Sequence, residues 1–193
     1  MDQHPWLEEF YPIAAKKLVE SLHGETDPLI RDQKMLEHSI RKWEGLSPEN
    51  LKKHRVRMLR SGSVELDPKY KENAKYLDEL DENGCAPDVL GIDSDSCALC
   101  QAYLVPVVIG KPKFPGSDAC HQCPLYRVRN EVRCDELLFD AEVQSPWHAF
   151  SSPWHAFSGA HDVEPMLKWL NKALEMVNSQ IRTRDAEKGD VSK

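Results

Sequence analysis

With 193 residues, 40% of them hydrophobic and 30% charged, the chain is long and apolar enough to fold around a core, which excludes a disordered polymer. No run approaches the roughly 20 apolar residues of a membrane span, and the acidic start, with Asp2, Glu8 and Glu9, is unlike a signal peptide, so a cytoplasmic protein is expected. The net charge of −7 sets the molecule as a whole against a phosphate backbone and makes a protein partner the simpler expectation.

In chain order, Trp6, Leu7, Phe10, Ile13, Ala14, Leu18 and Leu22 form an apolar stripe at helical spacing, which Pro12 splits or kinks. Asp27-Pro28 is an N-cap followed by proline at the first helical position. Leu29, Gln33, Leu36, Ile40 and Trp43 then recur every three or four residues up to Gly45. Ser47-Pro48 repeats that grammar and predicts a short helix carrying Leu51 and the basic run Lys52, Lys53, His54, Arg55, Arg57 and Arg60. Ser61-Gly62-Ser63 reads as a loop, and Asp67-Pro68 as the start of a helix with Tyr70, Ala74, Leu77 and Leu80 on one side. From Cys85 to Cys134 helical periodicity fades and glycine, proline and cysteine become frequent. The strand expected there covers residues 103–109, with Pro106 confining it to an edge. Residues 145–151, Ser-Pro-Trp-His-Ala-Phe-Ser, are repeated letter for letter at 152–158, a local duplication too short for a solenoid. After Asp162, Leu167, Leu170, Leu174, Val177 and Ile181 mark a last amphipathic helix, with fraying expected from about Asp185.

The fold class expected is therefore α+β, predominantly α-helical, with a small zinc knuckle or ribbon inserted. The chain divides into a helical region (1–84), a zinc module (85–144), a Trp-rich loop and C-terminal helix packing on the same unit (145–184) and a disordered tail (185–193). Charge follows this division. Residues 41–60 carry +5 and residues 97–134 carry +3, against −4, −7 and −4 for residues 1–40, 61–96 and 135–193.

Cys97-Ala-Leu-Cys100 and Cys120-His-Gln-Cys123 give C-x2-C-x19-C-x2-C. Two residues between cysteines let a tight knuckle aim both thiolates at one ion, and two knuckles complete a tetrahedral shell around one structural Zn2+. Such a closed sulfur shell leaves no position for water, so it is structural and not catalytic. Cys134 or His121 can each stand in for one knuckle cysteine, and Cys85 is a bystander. Unrelated buried cysteines and a redox dithiol are the competing readings. No thioredoxin-like pattern surrounds either pair.

These residues, with Pro124-Leu125 after the second knuckle, Cys134, the Ser-Pro-Trp segment and a closing amphipathic helix, resemble a family of small phage and prophage zinc-binding proteins with a CxxC, CxxCP and further-cysteine skeleton. Lys42-Trp43-Glu44-Gly45-Leu46, with Asn50, Leu51 and His54, is similar to an upstream segment of such proteins. The resemblance implies a phage-type accessory protein in the host cytoplasm and brings no activity with it. The doubled segment departs from the single copy it implies.

The function expected is a non-enzymatic, zinc-stabilised module that engages a host protein, in the manner of an inhibitor of host defence. Its partner surface is drawn from Trp147, Trp154, Arg127, Arg129 and Arg133. A nucleic-acid-binding zinc protein is the first alternative, with Lys52, Lys53, Arg55, Arg57 and Arg60 as candidate contacts. A metal-dependent hydrolase using His148, His155 and His161 is the second. No HExxH, phosphate loop, GxSxG or GxGxxG supports catalysis.

Overall fold

The computed structural model describes residues 3–59, 63–76, 88–103, 117–134 and 162–190. The fold is α+β and mainly helical, with one small antiparallel sheet. Pro12 and its neighbours split the first stripe into α1 (Pro5–Phe10) and α2 (Ala15–Ser21). Each start has its own cap: His4 Nδ1 accepts from the Trp6 N–H at 3.2 Å, and the Tyr11 hydroxyl accepts from the Ala15 N–H at 2.9 Å. The central helix, α3 (Pro28–Gly45), begins where the sequence places it, with the Asp27 carboxylate accepting from the Leu29 N–H at 3.0 Å.

Along α3 the buried residues include Met35, Leu36, Ile40 and Trp43. Their spacing puts them on one side of the helix, and α1 and α2 both pack on α3. The Trp6 indole donates to the Gly45 carbonyl at 2.8 Å, which ties α1 to the end of α3.

The structure corrects the expected basic helix. Helix α4 (Pro48–Lys53), capped by Ser47, ends after one and a half turns, and Arg55 takes a left-handed conformation with φ of 59°. The Arg55 carbonyl then accepts from the Asp67 N–H and from the Asn73 side chain, at 3.2 and 2.9 Å. Those bonds hold a backbone conformation that costs a non-glycine residue energy. Arg57 lies in strand β1 (Val56–Met58), paired antiparallel with β2 (Ser63–Leu66), which pairs with β3 (Asp88–Gly91). Residues after Asp67-Pro68 form a 3-10 turn, Lys71–Tyr76, in place of the start of an α-helix; Leu77 and Leu80 lie outside the described residues.

Helices α5 (Ala98–Tyr103) and α6 (Pro124–Val128) are short, and α6 follows a 3-10 turn at Ser117–Gln122. Tyr103, expected to open a strand, closes α5, and residues 104–109 lie outside the described residues. The last helix, α7 (Glu164–Asp190), continues past Asp185, where fraying was expected. Gln33 donates to Asn178 at 2.9 Å and Asp27 pairs with Arg184, so α7 runs antiparallel to α3 and its polar end is held there. Among the described residues no helix is long and apolar enough to cross a membrane.

Candidate metal centre

The two CxxC pairs each sit at the start of a helix. Before α5, Oδ1 of Asp93 accepts the N–H groups of Asp95 and Ser96, at 2.9 and 3.1 Å, and so turns the chain. The Cys97 N–H then bonds the Ser94 carbonyl, and one turn further along Gln101 bonds back to Cys97. Cys97 and Cys100, three residues apart at this turn, share a face. In the second pair, the Cys123 N–H bonds the Cys120 carbonyl at 2.9 Å, and Cys123 occupies the N-cap position of α6 with Pro124 at the first helical position.

Cys134 arrives by a different device. Asn130 and Glu131 take left-handed conformations, with φ of 55° and 66°, and reverse the chain after α6. Arg129, 0% exposed, donates to the Arg133 carbonyl and lies with its guanidinium carbon 5.8 Å from the Trp169 ring centroid. The buried guanidinium thus fixes the returning chain against α7.

Cys97, Cys100, Cys120, Cys123 and Cys134 line one cavity of about 190 Å3. Its walls include Lys42 of α3 and Met166 and Leu170 of α7. Four thiols with the predicted spacing therefore share a site with Cys134, whereas His121 is exposed and stacks on Tyr126, ring centroids 4.9 Å apart. Among the described residues the five cysteines form no disulfide. Nor are any three cysteine, histidine, aspartate or glutamate side chains among them already gathered so that they could hold a metal ion. The thiols share a chamber without converging on a point in it.

The electrostatics of the chamber are uneven. The Cys97 thiol is pulled well below its usual pKa by a hydrogen bond from Cys100, against the effect of burial and with help from the Lys42 ammonium. Cys100, which donates that bond, is raised. Burial pushes Cys123 up to about 12. Lys42 is lowered by its own burial, while Cys97, Cys100, Asp93 and Cys134 act in the opposite sense. A mainly apolar pocket lined by five thiols, one of them with a lowered pKa, suits a soft cation, which would displace the thiol protons.

The other predicted residues are placed as follows. Arg127 pairs with Asp32 of α3 at 3.2 Å and bonds the Gln122 carbonyl at 2.9 Å. Asp32 is buried, which raises its carboxyl pKa, and it also accepts from the Tyr103 hydroxyl, so it joins α3, α5 and α6. Arg129 was expected on a partner surface; its burial removes it from that role. Arg133 lines the cavity. Lys53 pairs with Glu9 at 2.7 Å, Arg55 with Glu72 at 2.7 Å, and Arg57 with the buried Glu65 across the sheet, while Lys52 is exposed on α4. Arg60, Cys85, Trp147, His148, Trp154, His155 and His161 lie outside the described residues.

Sequence reasoning passed over Lys42 and Asp32. A signal was present: Met35, Ser39, Lys42 and Leu46 recur at intervals of four, three and four, so Lys42 shares a helical face with the apolar Met35 and Leu46. Comparison of the chain with family models, with curated proteins and with solved structures gives no match.

Proposed function

We propose that this protein is a non-enzymatic binding module in which the chamber between α3, α5, α6 and α7 takes one structural Zn2+. We assign it the role of a phage-type accessory factor that engages a host protein, in the manner of an inhibitor of host defence. The observation that carries the metal part is the meeting of both CxxC pairs and Cys134 in the lining of one cavity. Cysteines from three separate stretches of chain have no packing reason to share a chamber, since each is a small apolar residue that fits anywhere in a core. Cys97, Cys100, Cys120 and Cys123 are the proposed ligands, with Cys134 as the alternate for one of them. Zinc bound by thiolates alone would hold the loops rigid and offer no place to a substrate.

The partner part rests on the resemblance and on charge. Three of the basic residues proposed for nucleic acid, Lys53, Arg55 and Arg57, are already opposed by carboxylates, which weakens that alternative. Metal analysis of the purified chain should give one zinc per molecule, lost in a Cys97→Ser, Cys123→Ser double variant. Wild type should retain a partner from host lysate that a Trp147→Ala, Trp154→Ala variant does not. A folded protein that takes up no zinc when zinc is supplied would end the first claim. Equal retention of nothing by both chains would end the second, and a salt-sensitive shift of DNA or RNA would favour the nucleic-acid alternative.

A further inference from the structure

Lys42 is the residue of α3 that the core does not explain. It is 1% exposed. Its ammonium donates to the Ser96 carbonyl at 3.1 Å and the Ser96 hydroxyl at 3.2 Å, and it lies 5.5 Å from the Trp43 ring centroid. An ammonium removed from water is strongly disfavoured unless an anion faces it. Among the described residues no carboxylate forms an ion pair with Lys42. Asp93, the carboxylate of the same cavity, is exposed and accepts two backbone N–H groups on Oδ1. What Lys42 shares its chamber with is sulfur, contributed by five cysteines.

We propose that Lys42 is the built-in counter-ion of a thiolate–metal shell. The inference rests on the zinc reading above and deepens it, because it gives the shell a charge. When four thiols release four protons to solvent and one Zn2+ enters, the neutral site becomes a dianion, with no change of oxidation state. A fixed cation in the wall stabilises that dianion and favours four thiolates over three thiolates with a neutral imidazole or water. Ser96 sets the position of the charge. Its hydroxyl accepts from Lys42 and from the Asp93 N–H, and donates to the Asp93 carbonyl, so the ammonium is tied to the turn that presents Cys97. Lys42 is thus a positioning residue for the shell and not a ligand of it.

The test uses the full chain as wild type, Lys42→Met, Lys42→Arg and Lys42→Gln. Zinc affinity is read by competition with a chromophoric chelator, and thiolate number from the intensity of the sulfur-to-cobalt charge-transfer band after Co2+ substitution. Lys42→Met should bind zinc about 10- to 100-fold more weakly, the usual effect of removing an outer-shell partner, and Lys42→Arg should restore most of the affinity. The loss of stability in Lys42→Met should be larger for the zinc-loaded protein than for the metal-free one, because the loaded shell is a dianion and the metal-free chamber carries less negative charge. Equal zinc affinity in wild type and Lys42→Met overturns the proposal. So does an equal loss of stability with and without metal, which is what a purely structural lysine gives. If Lys42→Met does not fold, Lys42→Gln decides, since it keeps a donor for Ser96 and removes the charge: weakened zinc binding supports the proposal, and wild-type affinity overturns it. Failure of wild type to take up any metal instead sinks the zinc reading itself.

Discussion

Gly45 shows how little room this fold leaves at single positions. A β-carbon built there would lie 2.5 Å from Phe10 Cγ and 2.6 Å from Phe10 Cβ, and Phe10 is itself buried. These atoms belong to the root of an aromatic side chain and cannot swing aside. Gly45→Ala should therefore destabilise by about 1–3 kcal/mol through overpacking, read as a lower urea midpoint with an unchanged slope. His38 makes a second prediction. Its Nε2 hydrogen-bonds the Ile13 carbonyl at 2.8 Å, and burial holds the ring below its usual pKa. Tyr11, Lys42 and Arg41 are the groups that surround it. A ring kept neutral in the folded state and free to protonate in the unfolded state makes the unfolded chain the better proton acceptor as pH falls. The stabilisation is complete above the unfolded pKa of about 6.5 and declines as pH drops through and below it. His38→Gln, which keeps an N–H for Ile13, should flatten the fall in melting temperature between pH 7.5 and pH 5.5. An identical slope in both proteins would refute the assignment.

At the scale of elements, α3 and α7 form the frame, and their contributions divide by depth. Leu36 is fully buried, whereas the Asp27–Arg184 pair that fastens the far end of α7 is partly exposed. Leu36→Ala should cost about 2–5 kcal/mol, while Arg184→Ala should leave the melting temperature nearly unchanged, because partly hydrated pairs contribute little. The helices were legible in the sequence for local reasons: Asp27 and Ser47 are caps, Pro28 and Pro48 suit the first helical position, and the apolar stripe of α3 repeats at the helical period. The sheet was not legible. Its strands are three and four residues long, and β2 buries Val64, Glu65 and Leu66 in succession, so no alternation exists to be read. Helix α4 ends at Lys53, and the left-handed Arg55 beyond it is held by bonds from Asp67 and Asn73, partners invisible to a local pattern. The cysteine spacing announced a shared site, but not the lysine beside it, since a positive charge on a helix is ordinarily read as a solvated face.

For the whole molecule the question is what orders residues 93–103 and 117–134. Helices α5 and α6 have six and five residues, well below the roughly 12 to 15 at which an isolated helix becomes even marginal in water. Their buried side chains, Leu99, Leu125 and Val128, dock them on the frame. Asp32 adds a link through Tyr103 and Arg127. Under the zinc reading the metal joins the two short helices at their starts, where the backbone is otherwise held by a few turn bonds. Removing it should then loosen this segment before the frame, because locally stabilised units open independently of a larger core. Hydrogen exchange on protein treated with a strong chelator should show faster exchange for amides at residues 97–103 and 125–129, while amides in the middle of α3 keep their protection. Re-addition of one equivalent of zinc should reverse the change. Uniform loss of protection would mean that the metal supports the entire fold, and an exchange pattern untouched by chelation would mean that apolar docking and the Asp32 contacts suffice without it.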